Sequence, residues 1–282
     1  MKRIAILTDS GTDVPQAYIE QYGIDVLPLG INYAALSYRD RVDITTEQVI
    51  DRLSIEIPRT SLPSVGETLE LLRRIRARGI RQVIAVTISS GLSGTYGMLR
   101  MVAKEFDGME IRVIDTKNIG IGAGITAIRA AELAESGMCM DEIERALRAN
   151  LRRTKVFFCV DTLKYLQKGG RIGLVTAAMG TLLGIHPMIS CNEDGVYYTV
   201  KKARGIKAAQ EAAVQQLVQL AASQERFDLL VAHGGAEERA QKLAEALREQ
   251  IPAFRNLIVA PVSPALVVHT GPGLVGAGIQ IY

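Results

Sequence analysis

The sequence predicts an α/β fold: an N-terminal open, mostly parallel sheet with flanking helices, then a C-terminal α+β domain, with a ligand between them. Three observations predict it. Short Val- and Ile-rich runs alternate with helix signals through the first half, the pattern of strand–helix–strand units. A tight-turn pair, Asp194-Gly195, separates two apolar runs in the second half and marks a hairpin. The chain has 282 residues, 48% hydrophobic and 22% charged, which is ordinary globular usage and excludes a disordered chain.

Each element follows in order. Arg3–Leu7 is a short apolar run ending in Thr8-Asp9-Ser10, and Asp13 and Pro15 start a helix that Gly23 stops. Ile24–Leu29 is a second run. Thr45-Thr46-Glu47-Gln48 and Ser64-Val65-Gly66-Glu67 are capping boxes, the second opening a helix that reaches Gly79. Gln82–Ile88 is the β-branched run of a buried parallel strand. After Ser89-Ser90-Gly91-Leu92-Ser93-Gly94-Thr95 comes a helix to Glu105, then a strand over Ile111–Ile114 and helices over Gly122–Glu135 and Asp141–Arg152. Right-handed crossovers are expected between the parallel strands.

The domain boundary is placed at Arg153-Thr154, giving residues 1–154 and 155–282. Beyond it, Lys155–Val160 reads as a strand and Asp161–Leu166 as a short helix. A helix then precedes the hairpin of Met188–Ser190 and Val196–Val200. Helices over Ile206–Ala222 and Glu237–Gln250 flank a strand at Leu229–Ala232, and terminal strands complete the domain.

Composition narrows the function. The formal charge is +3, from 33 Lys+Arg against 30 Asp+Glu, too small a bias to make nucleic acid a default partner. The basic groups Arg73, Arg74, Arg76, Arg78, Arg81 and Lys201, Lys202, Arg204, Lys207 read as solvated faces. Cys139, Cys159 and Cys191 have no metal-ligand spacing and read as reduced, buried thiols of a cytoplasmic protein. The basic N-terminus lacks the apolar stretch of an export signal. The uncharged stretches Gly173–Asn192 and Asn256–Tyr282 are broken by Gly and Pro, so they read as buried interior or cavity lining, not membrane spans.

Hydroxyl side chains gather where strands end: Thr8, Ser10, Thr60, Ser61, Ser64, Ser89, Ser90, Ser93, Thr95 and Thr116. Ligands of open α/β sheets sit beyond those strand ends. Gly91 and Gly94 shape a turn that opens a helix, presenting free amides and the positive dipole end to an anion. No Lys or Arg interrupts Ser89–Thr95 and no phosphate-loop motif is present, so a singly charged carboxylate suits the site better than a phosphate chain. The competing reading is a serine hydrolase in which Ser93, His269 and Asp115 form a triad, although the nucleophile-elbow motif is absent. Gly271-x-Gly273-x-x-Gly276 and Gly122-x-Gly124-x-x-Ala127 match a dinucleotide fingerprint literally but lack its βαβ setting. Lys168-Gly169-Gly170-Arg171 reads either as an exposed basic loop suited to an acidic partner or as a simple turn.

These segments together resemble the DegV family of bacterial fatty-acid-binding proteins, the acyl-carrying subunits of fatty acid kinase. The likeness rests on Thr8-Asp9-Ser10, Thr60-Ser61-Leu62-Pro63-Ser64, Ser89–Tyr96, Leu163–Ile172 and His269-Thr270-Gly271-Pro272-Gly273, in that order along nearly the whole chain. The resemblance implies a long-chain fatty acid of palmitate, stearate or oleate type in an apolar tunnel. Its carboxylate would be held by Thr60 and Ser93, with Ser61, Gly91, Gly94 and His269 around it. It further implies no catalysis by this chain, no metal and no cofactor. A separate ATP-dependent kinase subunit would dock near Arg171 and Lys168 and phosphorylate the acid to an acyl phosphate for phospholipid synthesis, with peripheral or no membrane contact. Thr116, where the family usually has Ser, and Gly97, where it commonly has Gln, are departures that bear on pocket shape. Ile119–Ile128 and Ile172–Ile189 are the candidate tail lining.

Overall fold

The computed structural model describes residues 4–178 and 184–282. Its N-terminal part runs β1 (Ile4–Asp9), α1 (Gln16–Tyr22), β2 (Asp25–Leu27), β3 (Gly30–Asn32), β4 (Ser37–Arg39), α2 (Thr46–Arg52) and β5 (Arg59–Ser61). It continues through α3 (Val65–Ala77), β6 (Gln82–Thr87), α4 (Thr95–Glu105), β7 (Glu110–Asp115), α5 (Ile121–Glu135) and α6 (Met140–Asn150). The C-terminal part comprises β8 (Thr154–Cys159), α7 (Lys164–Lys168), β9 (Ile185–Cys191), β10 (Tyr197–Arg204) and α8 (Ile206–Ala221). Then come β11 (Phe227–His233), α9 (Glu237–Gln250), β12 (Leu257–Pro261), α10 (Pro264–Thr270) and β13 (Val275–Ile281).

The parallel sheet has the order β2-β1-β6-β7. Its central strands are buried on both faces, which is why they read as unbroken apolar runs instead of alternating ones. The six-stranded sheet, β10-β9-β8-β13-β11-β12, is antiparallel except for the β11–β12 pair. Asp194-Gly195 closes the β9–β10 hairpin as expected: Asn192 Oδ1 accepts the Asp194 and Val196 amides, and Gly195 takes a positive φ.

Helix α5 lies between the two sheets, packing on β1 and β6 from one side and on β8, β11 and β13 from the other. It is therefore buried almost all round. A helix so enclosed needs small residues where backbones approach. A Cβ on Gly122 would lie 2.4 Å from Val156 Cγ1, and one on Gly124 2.3 Å from the Thr12 carbonyl oxygen. That close packing accounts for the literal dinucleotide match in this helix. Apolar clusters cross the Arg153-Thr154 boundary: Leu230, Ile258 and Ala260 pack with Ile4, Ile84 and Ile125.

Several expectations need correction. The stretch after Val259 is not all strand, because Pro264–Thr270 forms helix α10, with Pro264 as its first residue. A Pro at that position is preorganised for helix, and this signal outweighs the β-branched Val267-Val268 pair. The antiparallel sheet β4-β3-β5 was not foreseen; its three-residue strands are too short to show a period of two. Asp13 does not cap α1. It sits at φ 51° and its carboxylate turns to the Ser263 amide. Cys139 is exposed, whereas Cys159 and Cys191 are buried, with burial pushing both thiols up to about 12. The helix expected between Ile172 and Met188 falls partly on residues 179–183, outside the described residues; Gly173–Ala178 form a 3₁₀ turn. Among the described residues no helix is long and apolar enough to cross a membrane.

Candidate functional site

A chamber of about 330 Å³ lies where β5, the Leu92–Gly94 turn and α10 meet. Thr60, Ser61, Ser93, Gly94, Arg171 and His269 form its polar wall; Leu29, Ile88, Ile119, Tyr197 and Leu266 form the apolar one. Toward the interior, Ile119, Tyr197 and Leu266 also border a narrow seam of about 40 Å³ between the start of α5 and strands β8 and β13. The seam is walled by Val156, Phe158, Leu230 and glycines 120, 122, 276 and 278, among others. Outward, Thr60, Arg171 and His269 are shared with an open groove of about 680 Å³, lined by Ile55, Arg59, Lys164, Lys168, Gly169 and Gly170. Groove, chamber and seam thus adjoin through shared walls, in order from solvent to apolar interior.

Local sequence sets each polar side chain. Thr60 and Ser61 come from β5, paired to β3 through the Ile31–Thr60 and Gly30–Ser61 registers, not from the carboxyl end of a parallel strand as expected. Asn32 Nδ2 donates to Ser61 Oγ at 3.2 Å. Ser93 precedes Gly94, the N-cap of α4, and its Oγ lies 2.9 Å from Thr95 Oγ1. The N-terminal end of α4 therefore borders the chamber at Gly94, where its dipole favours negative charge. His269 sits in the last turn of α10, 2.7 Å from Thr60 Oγ1 through Nε2.

His269 is held neutral. Burial, and then the charge of Arg171, push its pKa down to about 4. Its Nδ1 is buried without a partner among the described residues, facing Gly169, whose Cβ would lie 2.1 Å from it. A buried N–H without an acceptor is costlier than a bare lone pair, so the ring proton belongs on Nε2. His269 then donates to Thr60 Oγ1, which frees the Thr60 O–H to donate into the chamber. Arg171 is fixed by Nε to the Leu92 carbonyl at 3.1 Å and by Nη1 to the Gly169 carbonyl at 2.8 Å. The sequence reading placed Arg171 only on a docking face; here it also lines the chamber as its cation. Only its separation in sequence from the Ser/Thr segments hid that.

The other hydroxyls serve structure. Thr8 donates to the Val86 carbonyl, Ser10 to Asp40, Ser89 to the Gly195 carbonyl and Thr116 to the Thr87 carbonyl. Ser64 caps α3, accepting the Glu67 amide. Lys117 Nζ donates to Ser90 Oγ. Gly91 lies outside the chamber lining; a Cβ there would meet the Gly195 carbonyl oxygen at 2.8 Å, so the residue makes room for the hairpin turn. The Ser93–His269–Asp115 triad does not assemble. His269 Nε2 faces Thr60, Ser93 faces Thr95, and Asp115 accepts the Ser90 and Lys117 amides.

The fold and this path define an α/β protein of two main sheets with a polar-mouthed cavity between them. The chain belongs to the DegV family: the family model described as "uncharacterised protein, DegV family" matches residues 3–281. A DegV domain-containing protein of Clostridium acetobutylicum is 43% identical over 279 residues, 99% of each chain. Among solved structures, a DegV family protein of Thermus thermophilus described by its fatty acid binding superposes with TM-score 0.93 at 30% identity, covering 99% of this chain and 100% of that one. DegV of Bacillus subtilis, described as a fatty acid binding protein, gives 0.91 at 26% identity over the whole of both chains. A stearic acid-binding protein of Eubacterium ventriosum gives 0.89 at 26%, covering 100% of this chain and 98% of that one.

Proposed function

We propose that this chain binds one long-chain fatty acid and presents it to a separate ATP-dependent kinase subunit, which phosphorylates the carboxylate to an acyl phosphate. The carrying observation is a hydroxyl-and-arginine chamber that shares the wall of Ile119, Tyr197 and Leu266 with an apolar seam. In this reading Thr60 and Ser93 donate to the carboxylate, Arg171 balances its charge, and His269 orients Thr60. Ser61 and Gly94 complete the mouth. The tail fills the apolar side of the chamber and parts the narrow seam, each buried methylene contributing about 0.8 kcal/mol. The fatty acid binding of the Thermus and Bacillus relatives supports it. We also read the chain as two domains, residues 1–154 and 155–282, with the ligand between them, acting in the cytoplasm.

Lipid extracted from the purified protein should contain a long-chain acid by mass spectrometry, and delipidated protein should take up palmitate or oleate. Neither an extracted acyl species nor uptake would end this reading.

The groove beside the carboxylate serves as the docking face. Lys168 is exposed there, whereas Arg171 reaches the chamber. Lys168→Ala is therefore expected to keep fatty acid affinity while slowing phosphorylation by the kinase subunit. Arg171→Ala should lower both. Normal phosphorylation of both variants would remove the groove from the docking role.

A further inference from the structure

The segment Asp9–Asp13 touches neither the carboxylate chamber's polar wall nor the docking groove, yet it organises the apolar wall. Asp9 Oδ2 accepts the amide of Ile88 at 2.9 Å. Ser10 Oγ accepts the amide of Leu29 at 2.9 Å and donates to Asp40 Oδ2 at 2.6 Å. Asp40 Oδ1 in turn accepts the amide of Ala265 at 3.0 Å. Leu29, Ile88 and Ala265 all line the chamber, so this frame pins the backbone of its wall.

Gly11 stands at the centre of the frame. Its φ is not in the left-handed region, so backbone conformation does not call for glycine. Space does. A Cβ at this position would lie 3.0 Å from Leu29 Cδ1 and 3.2 Å from both Ile88 Cδ1 and Leu266 Cδ1. The tips of three chamber-lining side chains thus converge on Gly11.

We propose that Gly11 is a specificity-determining residue that sets the cross-section of the acyl chamber, the Asp9–Ser10–Asp40 frame holding the wall it backs. The inference rests on the fatty acid reading above. A methyl at residue 11 forces the three side-chain tips to yield by a few tenths of an ångström. With the backbones of Leu29 and Ile88 pinned, those tips move into the chamber, the empty volume beside them. A straight saturated chain tolerates the narrowing better than one bent by a cis double bond.

The test uses delipidated full-length protein and two probes of equal carbon number, stearate and oleate. Gly11→Ala is expected to raise the oleate-to-stearate Kd ratio by about three- to tenfold, the scale of burying about one methylene. Adding Ile88→Val, which removes the Cδ1 carbon facing residue 11, should return the ratio toward the wild-type value. If Gly11→Ala does not fold, Ile88→Val alone carries the test: it widens the chamber and should lower the ratio. An unchanged ratio in the folded variant, with the wild type binding both acids, overturns the inference. If the wild type binds neither acid, the fatty acid reading has failed and takes this inference with it.

Discussion

The Thr60→Val, Ser93→Ala double variant is expected to bind a long-chain fatty acid roughly a hundredfold to ten-thousandfold more weakly than the wild type. Each hydroxyl removed is a donor to a charged acceptor, worth about 1.5–3 kcal/mol, so the pair removes about 3–6 kcal/mol. Arg171 alone cannot replace them, since two of its donor nitrogens already serve the Leu92 and Gly169 carbonyls. The informative comparison is a fatty alcohol with the same tail, measured by calorimetry or fluorescence competition. Its hydroxyl carries no charge, so its affinity should change far less. Equal losses for acid and alcohol would show that the substitutions damaged the cavity and that these hydroxyls do not hold the carboxylate. His269→Ala should reproduce part of the Thr60 effect, because the imidazole orients the Thr60 hydroxyl from 2.7 Å.

Under the proposed function, this arrangement would hold a carboxylate without a lysine at the turn. The α4 dipole end, the two hydroxyls and one arginine offset a single negative charge, and the neutral His269 adds no second cation. Under the proposed function, an acid held so lightly would stay reactive toward a phosphoryl donor approaching through the groove. A bidentate arginine clamp would occupy both carboxylate oxygens.

Much of this was legible in the residues, for identifiable reasons. Buried parallel strands such as Gln82–Thr87 announce themselves as apolar runs, and the amphipathic helix Glu237–Gln250 by its period. Ser93 and His269 stood out beside glycine-bearing turns, whereas the role of Thr60 came from the family resemblance. What stayed hidden depended on tertiary contact. Thr60 reaches the site on a three-residue strand with no readable pattern. Arg171 enters the chamber only because its guanidinium is tied to Leu92, far away in sequence. Asp40, from an unremarkable exposed stretch by sequence, is buried against Ser10 and Ala265. Gly11 carries no motif in the sequence, and only the positions of Leu29, Ile88 and Leu266 reveal it as space kept open.

The buried acids behind that wall carry the last expectation, a stability that depends on pH. Burial is the largest influence on Asp9, Asp13 and Asp40, pushing their pKa values up to about 7, 8 and 6. Asp13 is the clearest case. One of its oxygens accepts the Ser263 amide, while Oδ2 and the neighbouring Ser263 Oγ are buried without partners among the described residues. Asp40 raises its pKa further and Arg41 opposes this. Because the folded state holds the Asp13 proton more tightly, its contribution to stability is fully present below the unfolded value of 3.8. It is lost as pH rises toward about 8. Asp13→Asn keeps an acceptor for the Ser263 amide and stays neutral at every pH. Relative to the wild type, the variant should therefore gain on the order of 3 kcal/mol between pH 4.5 and pH 8, discounted from about 1.4 kcal/mol per pKa unit. Denaturant unfolding of both proteins at the two pH values measures this. Taking the difference cancels titrations that run the other way, notably those of His269 and His233, whose pKa values burial lowers. A difference that stays constant across the range would mean that Asp13 is already ionised in the folded protein, with Arg41 as its counter-charge.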